Sequence, residues 1–298
     1  VYGALCQVTG RTLPWGDLTG IRPTKIPMKL LEEGWKNTEI ARYMRETYGV
    51  SNEKTALAIT IANREKALLQ DLDYENGYSL YVGIPFCPSI CLYCSFGSHP
   101  LERWTKRVDE YLDTLCKELT FIREQMGARK LTTVYIGGGT PTTLEPEQLR
   151  RLLSHIQETF DFTWVKEYTV EAGRPDSITR EKLQVMKEFP VTRISVNPQT
   201  MNQKTLDVIG RKHTVEDTVN IFHMARELEF DNINMDLIIG LPGEGKEEVA
   251  HTLQEVEKLH PDSLTIHSLA LKRATRLNLF KDKYEEMSFE NSKEIMEM

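Results

Sequence analysis

From residue 77 onward the sequence alternates six times between a short β-rich run and a longer helical one, and this alternation limits the fold more than any other feature. The runs 79–84, 132–136, 168–172, 192–196, 233–240 and 263–269 predict strands. Between and after them, apolar spacing of helical period predicts helices over 102–126, 146–159, 179–188, 203–209, 215–229 and 247–259. A strand–helix–strand repeat demands a parallel sheet, so the chain is expected to be α/β. Six units over about 190 residues predict a partial (β/α)6 TIM-like barrel, because a full eight-unit barrel takes about 250. A doubly wound open sheet is the structural alternative. In either case chemistry belongs at the C-terminal ends of the strands.

Composition narrows the class. Of 298 residues, 40% are hydrophobic and 27% charged, which describes a globular chain and not a disordered one. The net charge of −7 argues against a dedicated nucleic-acid or anionic-membrane surface. No apolar run approaches the roughly 18 residues of a membrane helix, and the N-terminus lacks a signal-peptide pattern, so a cytoplasmic protein is expected. Residues 1–76 read as a helix-rich segment with helices over 25–33, 38–48 and 54–69. Ser51 can cap the last of these, although Lys54 stands where a capping box needs an acid or amide. A linker is expected at 71–77 and the barrel over 77–280. Asn291 and Glu294 read as the start of a further helix, so 281–298 is expected to open a truncated C-terminal domain. With Val1 in first place, the chain reads as a piece of a longer protein.

Three of the five cysteines, Cys87, Cys91 and Cys94, lie on one short stretch directly after the first strand, spaced C-x3-C-x2-C. Three thiolates on one loop can hold three irons of a [4Fe-4S] cluster and leave the fourth open to another ligand. The alternative is structural zinc with His99 as fourth ligand, although the second knuckle usual in such sites is missing. Cys116 shares a helical apolar face with Tyr111, Leu112, Leu115 and Leu119 and reads as packing; Cys6 has no evident partner.

The second strand runs into Gly137-Gly138-Gly139-Thr140-Pro141, where bare backbone can approach a ligand closely; an ordinary glycine turn is the plainer reading. Other strand ends carry polar groups. Glu171 can accept hydrogen bonds from a ribose, or be a half-exposed strand glutamate. Gln199 can bind through its amide, or be a polar loop residue. Arg211 offers a fork for a carboxylate, or a solvated charge. Asp236 stands in an apolar run, where a carboxylate needs a partner or a function.

The cysteine spacing, preceded by Tyr81-Val-Gly-Ile-Pro-Phe86 and followed by the Gly-Gly-Gly-Thr-Pro run, resembles radical S-adenosylmethionine enzymes. More narrowly it resembles the oxygen-independent coproporphyrinogen III oxidase family. The stretch Leu13-Pro-Trp-Gly-Asp-Leu-Thr-Gly-Ile-Arg-Pro-Thr-Lys25 is similar to its HemZ branch. The resemblance implies a [4Fe-4S] cluster on Cys87, Cys91 and Cys94. It implies S-adenosylmethionine on the cluster beside Tyr81, Gly138 and Glu171. A second S-adenosylmethionine site is implied at Tyr93, Gly139, Thr140, Gln199, Arg211, Asp236 and Ala270. It further implies a tetrapyrrole substrate, a low-potential donor of flavodoxin or ferredoxin type, a monomer, and oxidative decarboxylation of coproporphyrinogen III propionates to vinyls. A haem chaperone of the same family and a radical methylase acting on haem are the alternatives, with a zinc-stabilised interaction module a third. Two departures from the family pattern stand out: Gly83 where the family often has His, and a sequence that stops before the C-terminal domain that the family places over the barrel mouth.

The stretch 240–247 imitates a phosphate-binding loop, but Glu247 replaces the Ser or Thr, and Glu244 and Glu248 add negative charge. His155, His223, His251 and His260 show no metal-ligand spacing and read as surface or packing residues.

Overall fold

The computed structural model describes residues 1–279, apart from Ile21, Tyr74, Leu271 and Ala274. The expected start of a C-terminal domain at 281–298, with its Asn291 cap, lies outside the described residues. The chain divides between Asn76 and Gly77 into two compact units.

The first unit holds α1 (Tyr2–Thr9), α2 (Lys25–Glu32), α3 (Asn37–Tyr48) and α4 (Asn52–Leu69). Leu30, Leu31, Ile40, Met44, Val50, Ala58 and Ala62 form its core. Ser51 caps α4, its Oγ accepting from the Lys54 N–H at 3.2 Å. Helix α1 escapes prediction because it buries no residue and so leaves no apolar stripe to read.

The second unit contains β1 (Gly77–Ile84), β2 (Phe86–Cys87), β3 (His99–Pro100), α5 (Leu101–Trp104), α6 (Val108–Met126), β4 (Lys130–Gly138), α7 (Pro146–Thr159), β5 (Glu167–Gly173), α8 (Arg180–Lys187), β6 (Arg193–Gln199), α9 (Gln203–Val208), α10 (Val215–Glu227), β7 (Ile233–Ile239), α11 (Lys246–Leu259), β8 (Ser263–Ser268) and α12 (Arg276–Leu279). The one long helix expected over 102–126 is broken by a 3-10 turn at Thr105–Arg107. Its tighter winding changes the register. Trp104 can then meet the His99 ring at 5.0 Å while Val108 enters the core.

All six major strands are parallel and ordered β1-β4-β5-β6-β7-β8, the order of the chain. A doubly wound sheet requires a reversal of strand order, so that alternative falls. The sheet is a half-barrel. One face carries Leu80, Val82, Ile84, Val134, Ile136, Tyr168, Val170, Ile194, Val196, Met235 and Leu237 into a single core with Leu112, Leu119, Leu149, Leu153, Phe222 and Val256 from the helices. The intervening residues, on the other face, are mostly polar: Tyr81, Tyr135, Thr169, Glu171, Ser195, Asn197, Asn234, Asp236 and Thr265. Strands of a packed barrel are apolar on both faces; these alternate, which leaves the inner face for polar chemistry.

Candidate active site at the strand ends

The cysteine loop leaves β1 and is pinned at both ends. Phe86 and Cys87 pair in parallel with His99 and Pro100, and the His99 N–H donates to the Pro85 carbonyl at 2.7 Å. Cys87 and Cys91 are buried and Cys94 is half-buried. Burial pushes the Cys87 and Cys94 thiols up, so a metal taking them as thiolates must displace their protons. Two sulfurs already face donors: the Thr140 hydroxyl lies 3.5 Å from Cys87 Sγ, and Arg174 Nη1 lies 3.7 Å from Cys91 Sγ. Among the described residues, no three Cys, His, Asp or Glu side chains close on a single metal ion. Three sulfurs on one clamped loop, two of them beside donors, fit a polynuclear cluster, whose properties such donors set.

The glycine run serves this loop in a way the sequence does not suggest. A Cβ on Gly139 would stand 2.5 Å from the Phe86 carbonyl oxygen and 2.8 Å from that of Ile84. One on Gly138, whose φ is +101°, would stand 3.0 Å from the Ile84 nitrogen. The Gly139 N–H donates to Ile84 O at 2.6 Å and the Thr140 N–H to Phe86 O at 2.8 Å. These two N–H groups are therefore not bare, contrary to expectation. The close approach is of β4 to the root of the cysteine loop, and only glycine allows it.

On the inner face Tyr81 is 62% exposed and stacks on Tyr135, ring centroids 5.9 Å apart and planes 12° apart. Tyr135 donates its hydroxyl to Glu171 Oε1. Burial, reinforced by the charge of Asp236, raises the Glu171 carboxyl above its ordinary value, against the pull of the Tyr135 hydrogen bond. Asp236 has the partner its setting requires, for Asn234 Nδ2 donates to its Oδ1 at 2.7 Å. Asn234 in turn reaches Ser195 Oγ and accepts from Ser263 and Thr265, a ladder across three strands.

At the end of β6, Gln199 adopts φ +71°, a left-handed conformation rare outside glycine, and its buried Oε1 has no hydrogen-bond partner. Arg211 is buried, not a solvated charge. Its Nη1 donates to the Asn197 carbonyl and its Nη2 to the Tyr93 hydroxyl at 3.2 Å, tying the cysteine loop to β6. Ala270 is exposed just beyond β8. Sequence reading missed Tyr135, Asn234 and Arg174.

The phosphate-loop imitation is filled by acid. Buried Glu244 accepts from Thr200 Oγ1 at 2.5 Å and from Asn202 at 3.1 Å, and Glu248 accepts the Gly245 N–H at 2.8 Å.

Comparison with known proteins agrees with this architecture. A coproporphyrinogen III oxidase (HemN) of Escherichia coli, described as a radical SAM enzyme, matches with TM-score 0.67 and 29% identity over 78% of this chain and 54% of its own. The oxygen-independent coproporphyrinogen-III oxidase-like protein HemZ of Bacillus subtilis is 43% identical over 100% of this chain and 60% of its own length. The haem chaperone HemW of the same organism is 37% identical over 66% of this chain and 52% of its own. The chain thus spans half to three fifths of the length of these relatives. Among the described residues no helix is long and apolar enough to cross a membrane. The family model of the Radical SAM superfamily matches residues 81–256, more than half the chain, and the chain belongs to that superfamily, whose cofactors are S-adenosylmethionine and a [4Fe-4S] cluster.

Proposed function

We propose that the protein is an oxygen-independent coproporphyrinogen III oxidase: it converts propionate side chains of coproporphyrinogen III to vinyls, each with loss of carbon dioxide, two electrons and one proton. In this reading Cys87, Cys91 and Cys94 hold the cluster. When bound, the cluster supplies the electron that cleaves S-adenosylmethionine to methionine and a 5′-deoxyadenosyl radical. Tyr81, Gly138 and Glu171 receive that S-adenosylmethionine; Tyr93, Gly139, Thr140, Gln199, Arg211, Asp236 and Ala270 line a second site. The observation that carries the reading is the buried Arg211–Tyr93 pair, taken together with Gln199, whose buried amide oxygen is unpartnered. Such a group costs stability unless a ligand satisfies it. Likeness to the E. coli and B. subtilis proteins supports the substrate class. An electron donor of flavodoxin or ferredoxin type and a cytoplasmic location belong to the same proposal.

The full-length protein, reconstituted anaerobically with reductant and S-adenosylmethionine, should remove carboxyl groups stepwise from coproporphyrinogen III, seen by mass spectrometry with 5′-deoxyadenosine formed in step. The likeness to a haem chaperone favours a second reading, haem carriage. Unchanged tetrapyrrole together with stable stoichiometric haem binding would replace the oxidase by that carrier.

A further inference from the structure

Arg174, at the turn after β5, is 3% exposed and splits its guanidinium between two tasks. Nε and Nη2 donate to the two carboxylate oxygens of Asp176 at 2.9 and 2.7 Å. Nη1 points the other way: it donates to the carbonyl and hydroxyl oxygens of Ser89 at 3.0 and 2.8 Å and lies 3.7 Å from Cys91 Sγ. Ser89 is midway between Cys87 and Cys91, and its hydroxyl also donates to the Gly210 carbonyl at 3.1 Å. One arm of a buried cation thus grips the cysteine loop while a carboxylate steadies the other. A buried guanidinium is costly unless paired, and Asp176 offsets its charge from the side away from the sulfur. His213, whose Nδ1 lies 4.0 Å from Asp176, adds no charge near neutrality, because burial holds it down to about 4.

We propose that Arg174 is a positioning residue that sets the reduction potential of the group held by the cysteine loop, and that Asp176 sets how much of its charge reaches Cys91. The inference rests on the cluster reading above. Reduction adds an electron near the guanidinium, and a cation or donor at a ligand sulfur favours the reduced state. Removing the cation must lower the potential, and removing its counter-charge must raise it. A residue that only braces the loop has no reason to produce opposite signs.

The test is a reductive titration, followed by EPR, of reconstituted full-length wild type, R174Q and D176N without S-adenosylmethionine. R174Q should shift the reduction equilibrium about tenfold toward the oxidised form, about 59 mV more negative for one electron. D176N should shift it in the positive direction. Two variants at the wild-type midpoint, or two shifts of the same sign, overturn the inference. Should R174Q take up no cluster, D176N decides: a midpoint at or below wild type overturns it. Loss of the cluster from both variants with intact circular dichroism counts against it too, because all three cysteines remain. A wild-type protein that binds no cluster overturns the cluster reading instead.

Discussion

The two sides of the strand-end surface are built differently. On the side of β1, β4, β5 and β6, buried charge does the joining: Arg174 reaches Ser89 and Asp176, Arg211 reaches Tyr93 and Asn197, and Glu171 takes the Tyr135 hydroxyl. On the side of β7 and β8, the Asn234 ladder joins the strands through neutral donors and reaches the one carboxylate of Asp236, and Leu264 and Ile266 of β8 are 43% and 46% exposed. Buried ions demand exact partners, so the first side is fixed by its own chain. On the second side the exposed edge at β8 has contacts that tolerate change, while buried Glu244 after β7 is held by Thr200 and Asn202.

The sharpest way to break this contrast is at the cysteine loop. Cys91→Ala should abolish the cluster absorbance, its EPR signal and S-adenosylmethionine cleavage together; a variant that keeps them would sink the assignment of the cysteines. Next comes the glycine run. Gly139→Ala places a methyl against two backbone carbonyls that cannot rotate away, and should cost about 3 kcal/mol in denaturant unfolding. A cost below about 1 kcal/mol would mean that β4 and the loop root yield easily.

Buried charge also predicts acid sensitivity. His213 is held at about 4 by burial first and then by the charge of Arg211, with Asp176 opposing. Its folded value lies below its unfolded one, so its contribution is complete above about pH 6.5 and is lost as pH falls toward 4. The loss should be of order 2–3 kcal/mol, read as unfolding free energy against pH, and His213→Gln should flatten that part of the curve. Glu171 works in the opposite sense. Its raised value makes the wild type lose stability as pH rises through its folded value, so Glu171→Gln should gain on wild type with rising pH. A variant that loses stability relative to wild type as pH rises would contradict the burial of that carboxyl.

What could be read in advance follows the same division between local and distant causes. The six strands were legible because alternation with helices is a short-range pattern, and the cysteine loop because its three cysteines lie close in sequence. The glycines were legible as a close approach, but their neighbour is the backbone of Ile84 and Phe86, more than fifty residues earlier. Arg211 was visible as a fork, yet its burial depends on Tyr93, 118 residues away. Arg174 was missed because Gly-Arg-Pro-Asp reads as an exposed turn, and only the fold brings it to Ser89, 85 residues away. Tyr135 was hidden by its residue type, since aromatic residues are common in any strand.

The smallest effect is expected where the second side is most open. Ile266→Thr keeps a β-branched residue on β8 and removes an apolar group already nearly half in solvent, so stability should change by no more than about 0.5 kcal/mol. Leu112→Ala, in the fully buried core behind β1, should cost about 2–5 kcal/mol by the same measurement. The pair tests the contrast directly. An Ile266 cost of about 2 kcal/mol in the full-length protein would show that the helix-side face of β8, which Ile266 shares with Leu237, is covered there.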